Sequence, residues 1–150
     1  MTLDKTFDPA AIEARWYAHW ESTGAFRPAR PDAEPYTIVM PPPNITGELH
    51  MGHALDNTLP DVLTRFQRMR GRNALFLPGT DHASIATEAV VVARMREEGL
   101  TKEEVGREGF LERAWRWKDE YNDRIIGQQK RMGISCDWDR HRFTMDQGLS

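Results

Sequence analysis

Pro41-Pro42-Pro43-Asn44-Ile45-Thr46-Gly47-Glu48-Leu49-His50-Met51-Gly52-His53 is the stretch on which the fold turns. A short apolar run, Tyr36 to Met40, leads into it, and a long amphipathic segment, Leu55 to Arg70, leads out. That order predicts strand, loop, helix. Two histidines three residues apart, with a glycine between them, stand where the loop becomes the helix. In a parallel α/β fold this junction lies at the carboxyl end of a strand, where ligands bind. A helix N-terminus also offers free backbone N–H groups and a favourable dipole to an anion. The stretch therefore points to a phosphate site with two imidazoles added.

Working upstream, Thr37-Ile38-Val39-Met40 is short, apolar and β-branched with prolines on both sides, which predicts a buried strand. Arg27 to Pro35 carries three prolines and reads as a loop. Before it, Asp8-Pro9 opens a helix, Asp8 as cap and Pro9 at the first helical position. Ile12, Trp16 and Trp20, flanked by Tyr17, follow at helical spacing and form an expected docking face, and Gly24 stops the helix.

Working downstream, Met51, Leu55, Leu59, Val62, Phe66 and Met69 recur with a period near 3.6, and Asp56, Asp61, Arg65 and Arg68 occupy the polar face. Pro60 predicts a bend, or a break just before it. Gly71 ends the helix. Asn73-Ala74-Leu75-Phe76-Leu77 is a second short strand, so the whole predicts a right-handed βαβ unit with parallel strands. Pro78-Gly79-Thr80-Asp81-His82-Ala83-Ser84 then falls at a second strand end. The loops 41–50 and 78–84 are therefore expected on one edge of the sheet. A helix through Ile85, Ala89, Val92 and Met95 stops at Gly99. Thr101-Lys102-Glu103-Glu104 is a capping-box start for a long helix carrying Phe110, Leu111, Ala114, Trp115, Tyr121, Ile125 and Met132. Irregularity is expected at Gly106 and Gly109, and Gly133 closes the helix. The tail from Asp137 shows no clear period.

The 150 residues form one domain or part of one, with 39% hydrophobic and 29% charged residues, ordinary for a globular protein. No apolar run is long enough to cross a membrane, and Met1-Thr2-Leu3-Asp4-Lys5-Thr6 leads into no apolar signal segment. The single cysteine, Cys136, fits a reducing compartment, and a cytoplasmic location is expected. A net charge of −3 argues against this segment by itself gripping a nucleic-acid backbone.

His50 and His53 share a helix face, where imidazole donors could follow charge building on a phosphate. Gly52 would let a flat adenine pack on the backbone. The plainer alternative is two half-exposed histidines at a helix start. A zinc site drawing on His82 or Cys136 lacks the usual close ligand pairs, and no metal ligands are assigned. Asp81 could hold an ammonium group by a charge-assisted bond, or cap the following helix. His82 reads as structural. Arg65, Arg68, Arg70 and Arg72 form a basic stripe or a solvated helix end.

These residues resemble the class I aminoacyl-tRNA synthetases, most closely the valyl members. Pro41 to Gly47 with Leu49-His50-Met51-Gly52-His53-Ala54 matches the HIGH signature in its valyl form. Phe66-Gln67-Arg68-Met69-Arg70-Gly71 and Gly79-Thr80-Asp81-His82-Ala83, with Ile85-Ala86-Thr87, match two further stretches. So do Ile12-Glu13 with Trp16, the 110–118 helix, Asp137-Trp138 and Phe143-Thr144-Met145-Asp146. Ser84 stands where glycine is commoner in the family, and Glu88 where glutamine is.

The resemblance implies an α/β fold with a Rossmann-like parallel sheet, the first half of a class I synthetase nucleotide-binding domain. An N-terminal helix and linker would occupy 1–35 and the half-domain 36–150, with a long helix near the C-terminus. The second half with its KMSKS lysine loop, the editing domain and the anticodon-binding domain have no match in these residues. The chain is thus expected to be an amino-terminal part, error-prone in any activity it retains, and poorly soluble or self-associating.

The implied chemistry is ATP-dependent activation of valine and its transfer to tRNA(Val), with Mg2+. His50 and His53 would be catalytic. Thr46, His50, Gly52, His53 and Asp56 would lie at ATP. Pro42, Asn44 and Asp81 would lie at valine. Two other expectations compete: another HxGH-type adenylyl or nucleotidyl transferase, and a noncatalytic fragment that binds nucleotide only.

Overall fold

A computed structural model of the chain describes Thr6 and residues 8–149. The start of the 1–35 segment and the last residue of the half-domain lie outside the described residues. The expected βαβ unit is present. Strand β1 (Pro35–Val39) pairs in parallel with β2 (Asn73–Leu77), Ile38 opposite Phe76, and helix α2 (Met51–Met69) makes the crossover. The sheet does not continue as one surface. A second parallel pair is formed by β3 (Gly79–Thr80) and β4 (Arg142–Phe143), and a single parallel bridge joins Asn44 to Asp81. The tail that showed no period thus supplies a strand.

Helix α1 (Pro9–Ser22) begins as expected, with the Ala10 N–H donating to Asp8 Oδ1 at 3.1 Å, and the chain turns away through Gly24 at φ +64°. Its docking face differs from the expected stripe: Trp16 is exposed, while Tyr17 and Trp20 pack around buried Phe26. The Tyr17 hydroxyl donates to the Ile134 carbonyl at 2.8 Å and accepts from Trp138 Nε1 at 2.7 Å, tying the helix to the far end of the chain. Helix α3 (Ser84–Glu97) and helix α4 (Lys102–Arg131) complete the fold. The Thr101–Glu104 capping box is formed, and α4 is interrupted at Gly106, which has φ +64°. The buried face of α3 is Thr87, Val91 and Met95, with Ile85 outside. That of α4 is Trp117, Ile125 and Gln129, with Trp115 outside. Among the described residues no helix is long and apolar enough to cross a membrane.

Helix α2 departs most from its sequence reading. It runs unbroken through Pro60, whose carbonyl accepts from Thr64 Oγ1 at 2.9 Å. More important, it is turned over. The apolar stripe faces solvent, Met51 at 83% and Met69 at 79% exposure, and the buried residues are Asn57, Asp61 and Thr64. The arginine stripe divides: Arg70 is exposed at the helix end and Arg72 pairs with Glu34, while Arg65 and Arg68 are drawn inward. Asp61 accepts from the Ser135 N–H and from Arg65 Nε, each at 2.7 Å, and Arg68 Nη2 donates to the Ser135 carbonyl at 2.8 Å and the Phe26 carbonyl at 3.2 Å. These bonds draw the extended segment 134–137, buried throughout, onto the inner side of α2 and against Met40 and Phe76. Three small apolar clusters result: Met40–Phe76–Ile134–Cys136, Ile45–Ile125–Phe143 and Val91–Met95–Trp117.

Candidate functional site

The loop after β1 is held along its length. The Asp81 N–H donates to the Pro43 carbonyl at 2.9 Å, and the Ile45 N–H donates to the Asp81 carbonyl at 3.0 Å. Buried Ile45 is held from behind by Trp117, whose Nε1 donates to its carbonyl at 2.7 Å. The Leu49 N–H donates to Gln128 Oε1 at 2.9 Å. Asn44 and Asp81 therefore stand side by side where the two strand-end loops meet, as the parallel-strand reading requires. Pro42 lies on the same edge, lining a groove of about 140 Å3 with Gly79, Thr80, Phe143 and Thr144. A Cβ on Gly79 would come within 3.0 Å of the Arg142 carbonyl oxygen, so only glycine lets β4 approach so closely.

At the start of α2 the two histidines do meet, with ring centroids 4.0 Å apart. Their arrangement differs from the simple expectation of a helix N-terminus left open to an anion. The Gly52 N–H donates to His50 Nδ1 at 3.1 Å, and the His50 N–H donates to His53 Nδ1 at 3.3 Å. The imidazoles cap the helix themselves, using N–H groups an anion would otherwise take. Each Nδ1 is thereby an acceptor, so the neutral ring carries its proton on Nε2. Burial and the neighbouring His50 lower the pKa of His53, against the pull of Asp56, which favours its neutral form. The pair offers two Nε2–H donors at a helix start. A Cβ at Gly52 would lie 2.9 Å from His50 Cε1, so the absence of a side chain there lets the His50 ring pack against the helix start. Asp56 is exposed one turn further along, and Thr46 is half-buried beside Ile45.

The structure thus makes two groups at one edge: His50, His53 and Asp56 on α2, and Pro42, Asn44 and Asp81 at the strand ends, with Thr46 in the loop between them. Asp81 does not cap α3, whose N-cap is Ala83 with no side-chain bond. The sequence reading missed what stands behind Asp81. Thr144 Oγ1 donates to Asp81 Oδ1 at 2.9 Å, and Thr80 Oγ1 donates to Asn122 Oδ1 at 2.8 Å with His141 Nε2 at 3.4 Å. Burial lowers the pKa of His141, an effect opposed by Asp146 and aided by Lys118. Thr144 sits in a stretch that had been matched without a role; nothing in its spacing announced a partner 63 residues away.

Comparison with known proteins agrees with this architecture. The family model for tRNA synthetases class I (I, L, M and V) matches residues 15–150. The valine--tRNA ligase of Rhizorhabdus wittichii is 59% identical over the whole chain, and that of Carboxydothermus hydrogenoformans 55%. The chain spans 17% of the length of each. Among solved structures, the ternary complex of Agrobacterium radiobacter K84 agnB2 LeuRS, tRNA and LeuAMS superposes with a TM-score of 0.76 at 20% identity, over 96% of this chain and 17% of that one. At that identity the likeness concerns the fold.

Proposed function

This chain belongs to the class I tRNA synthetases, and we propose that it carries the ATP and amino-acid half of a valine-activating site. The observation that carries the reading is the bridge between Asn44 and Asp81, which sets a carboxylate and an amide at the strand ends on the edge that also bears His50 and His53. The relatives named valine--tRNA ligase support valine as the amino acid.

The chemistry follows from what these groups offer. Asp81 pairs with the ammonium group of valine, with Asn44 and Pro42 beside it. A valine carboxylate oxygen attacks the α-phosphorus of ATP. The bond to the bridging oxygen of pyrophosphate breaks, and valyl adenylate and pyrophosphate result. The nucleophile is already an anion, so no strong general base is needed, and positioning with charge stabilisation carries the rate. The Nε2–H groups of His50 and His53 donate to phosphate oxygens as their charge grows, each worth about 2–4 kcal/mol in the transition state. The 2′-hydroxyl oxygen at the end of tRNA(Val) then attacks the valyl carbonyl carbon, the bond from that carbon to the phosphate oxygen breaks, and valyl-tRNA, AMP and the hydroxyl proton result.

Among the described residues no group of three His, Cys, Asp or Glu side chains could hold a metal ion. Mg2+ is held largely by substrate phosphates and water rather than by a protein cage, so it would come to this site with ATP and neutralise charge on the phosphate oxygens.

Because the chain spans a small part of its relatives' length, ligand binding is the proper test for it. Calorimetry is expected to find ATP binding weakened about tenfold or more by His53→Ala, and valine binding weakened comparably by Asp81→Asn, each leaving the other ligand unaffected. Equal loss of both ligands in either variant, or tighter binding of threonine than valine, would count against the reading.

A further inference from the structure

We propose that Thr144 and His82 form a clamp that fixes one oxygen of Asp81 and so aims the other at the α-ammonium group of a small amino acid. The inference rests on the valine-site reading for the identity of the ligand, but the clamp itself is drawn from geometry. Three polar groups converge on one hydroxyl. Thr144 Oγ1 lies 2.9 Å from Asp81 Oδ1, 2.9 Å from the His82 backbone nitrogen and 2.7 Å from His82 Nδ1. His82 Nδ1 is also 3.2 Å from Asp81 Oδ1.

The proton count follows. A hydroxyl donates once and accepts twice. The His82 backbone N–H takes one acceptor position. An ionised carboxylate can only accept, so the single Thr144 proton goes to Asp81 Oδ1. The remaining acceptor position faces His82 Nδ1, which must then carry a proton. A bare Nδ1 lone pair would instead face both the hydroxyl oxygen and the carboxylate. In its neutral form His82 is thus the Nδ1–H tautomer, the opposite of His50 and His53.

Asp81 Oδ1 is held from two directions, and among the described residues Oδ2 takes no hydrogen bond. The Asp81 side chain as a whole keeps 32% of its surface exposed, which leaves it within reach of a ligand. Thr144 is itself placed by the β3–β4 pair, its N–H donating to the Thr80 carbonyl at 3.1 Å. His82 is steadied by the edge of Phe143, with ring centroids 6.4 Å apart. Thr144 touches no ligand in this arrangement. It is a positioning residue, and it explains why a strand from the chain's tail is laid beside Gly79 and Thr80.

The test uses the whole chain labelled with 15N-histidine at about pH 8, where an ordinary imidazole is neutral. Long-range 1H–15N spectra report which ring nitrogen carries the proton, and valine titrations report affinity. The expected pattern is Nδ1–H at His82 in the unmodified chain and in Thr144→Ser. In Thr144→Val, Asp81 Oδ1 alone still holds the Nδ1–H form, the His82 Nδ1 proton resonance moves as its hydroxyl partner is lost, and valine affinity falls about tenfold. Thr144→Ser retains both the resonance and that affinity. An unmoved His82 Nδ1 proton resonance in Thr144→Val, or valine affinity unchanged there, would overturn the clamp. So would an Nε2–H form at His82 in Thr144→Ser, a variant that keeps the hydroxyl and stands as the test even if Thr144→Val fails to fold. The pattern of tautomers and resonances without valine binding by any variant would support the clamp and overturn the valine reading instead.

Discussion

Ser84 opens α3 with φ +37°, and Ala83 before it has φ +50°, so two side-chain-bearing residues in a row occupy the left-handed region. The turn is held by what it positions: Thr87 Oγ1 donates to the His82 carbonyl at 2.6 Å and the Ala86 N–H to the Ala83 carbonyl at 2.9 Å. A left-handed residue other than glycine costs about 1–2 kcal/mol, while glycine adds back about 0.5–1 kcal/mol of unfolded-chain entropy. Ser84→Gly is accordingly expected to raise the urea midpoint, by a gain of about 0.5 kcal/mol; a fall would mean that the turn is unstrained. The odd serine was legible in the sequence as a departure from the resembling family, but its backbone angle was not, because φ depends on what the turn must reach. The histidine pair shows the same division. Its spacing announced that the rings would share a face. That each Nδ1 would be spent on the helix's own N–H groups depends on rotamers, which spacing does not encode.

Helix α2 marks where periodicity stops being informative. Its 3.6 repeat correctly foretold a helix and the faces on which its residues fall, but a repeat cannot say which face turns inward. That choice is made by partners far along the chain. Asp61, Arg65 and Arg68 bind the backbone and hydroxyl of Ser135 and the carbonyls of Phe26 and Gly133, so the polar face is the one that is covered. Segment 134–137 has little regular structure of its own, and its buried N–H and C=O groups need such acceptors and donors. The α2 polar face therefore acts as a scaffold for the tail that ends in β4 and Thr144. Removing the central acceptor exposes the dependence. Asp61→Ala leaves the buried Ser135 N–H and hydroxyl without their acceptor and removes one partner of half-exposed Arg65, for an expected loss of about 2 kcal/mol in urea unfolding. A loss below about 0.5 kcal/mol, the size of an ordinary surface change, would show that the tail holds its place without this contact.

For the molecule as a whole, the consequence of turning α2 over is an unpartnered apolar strip. Met51, Leu55, Leu59, Val62, Phe66 and Met69 lie along one exposed helix face, and Val39 on β1 is also open. Single exposed leucines are commonplace, but a continuous row along a 19-residue helix exceeds what a monomer normally leaves to water. Burial of such a strip returns about 25 cal/mol per Å2 of apolar surface, enough to draw copies together even before specific contacts form. The net charge of −3 opposes this only weakly at physiological ionic strength. The chain studied by itself is therefore expected to associate as its concentration rises, with the strip as the contact. Sedimentation velocity across a concentration series reads this directly. Leu59→Glu with Phe66→Glu places two charges in the middle of the strip and touches none of the Asp61–Ser135 bonds on the opposite face, so it should restore a monomer with unchanged secondary structure. A wild-type chain that stays monomeric at its highest attainable concentration would mean the strip is too narrow or too mobile to bind a copy. Association that survives both glutamates would move the contact to the open edge of β1, where unpaired backbone groups could add a strand.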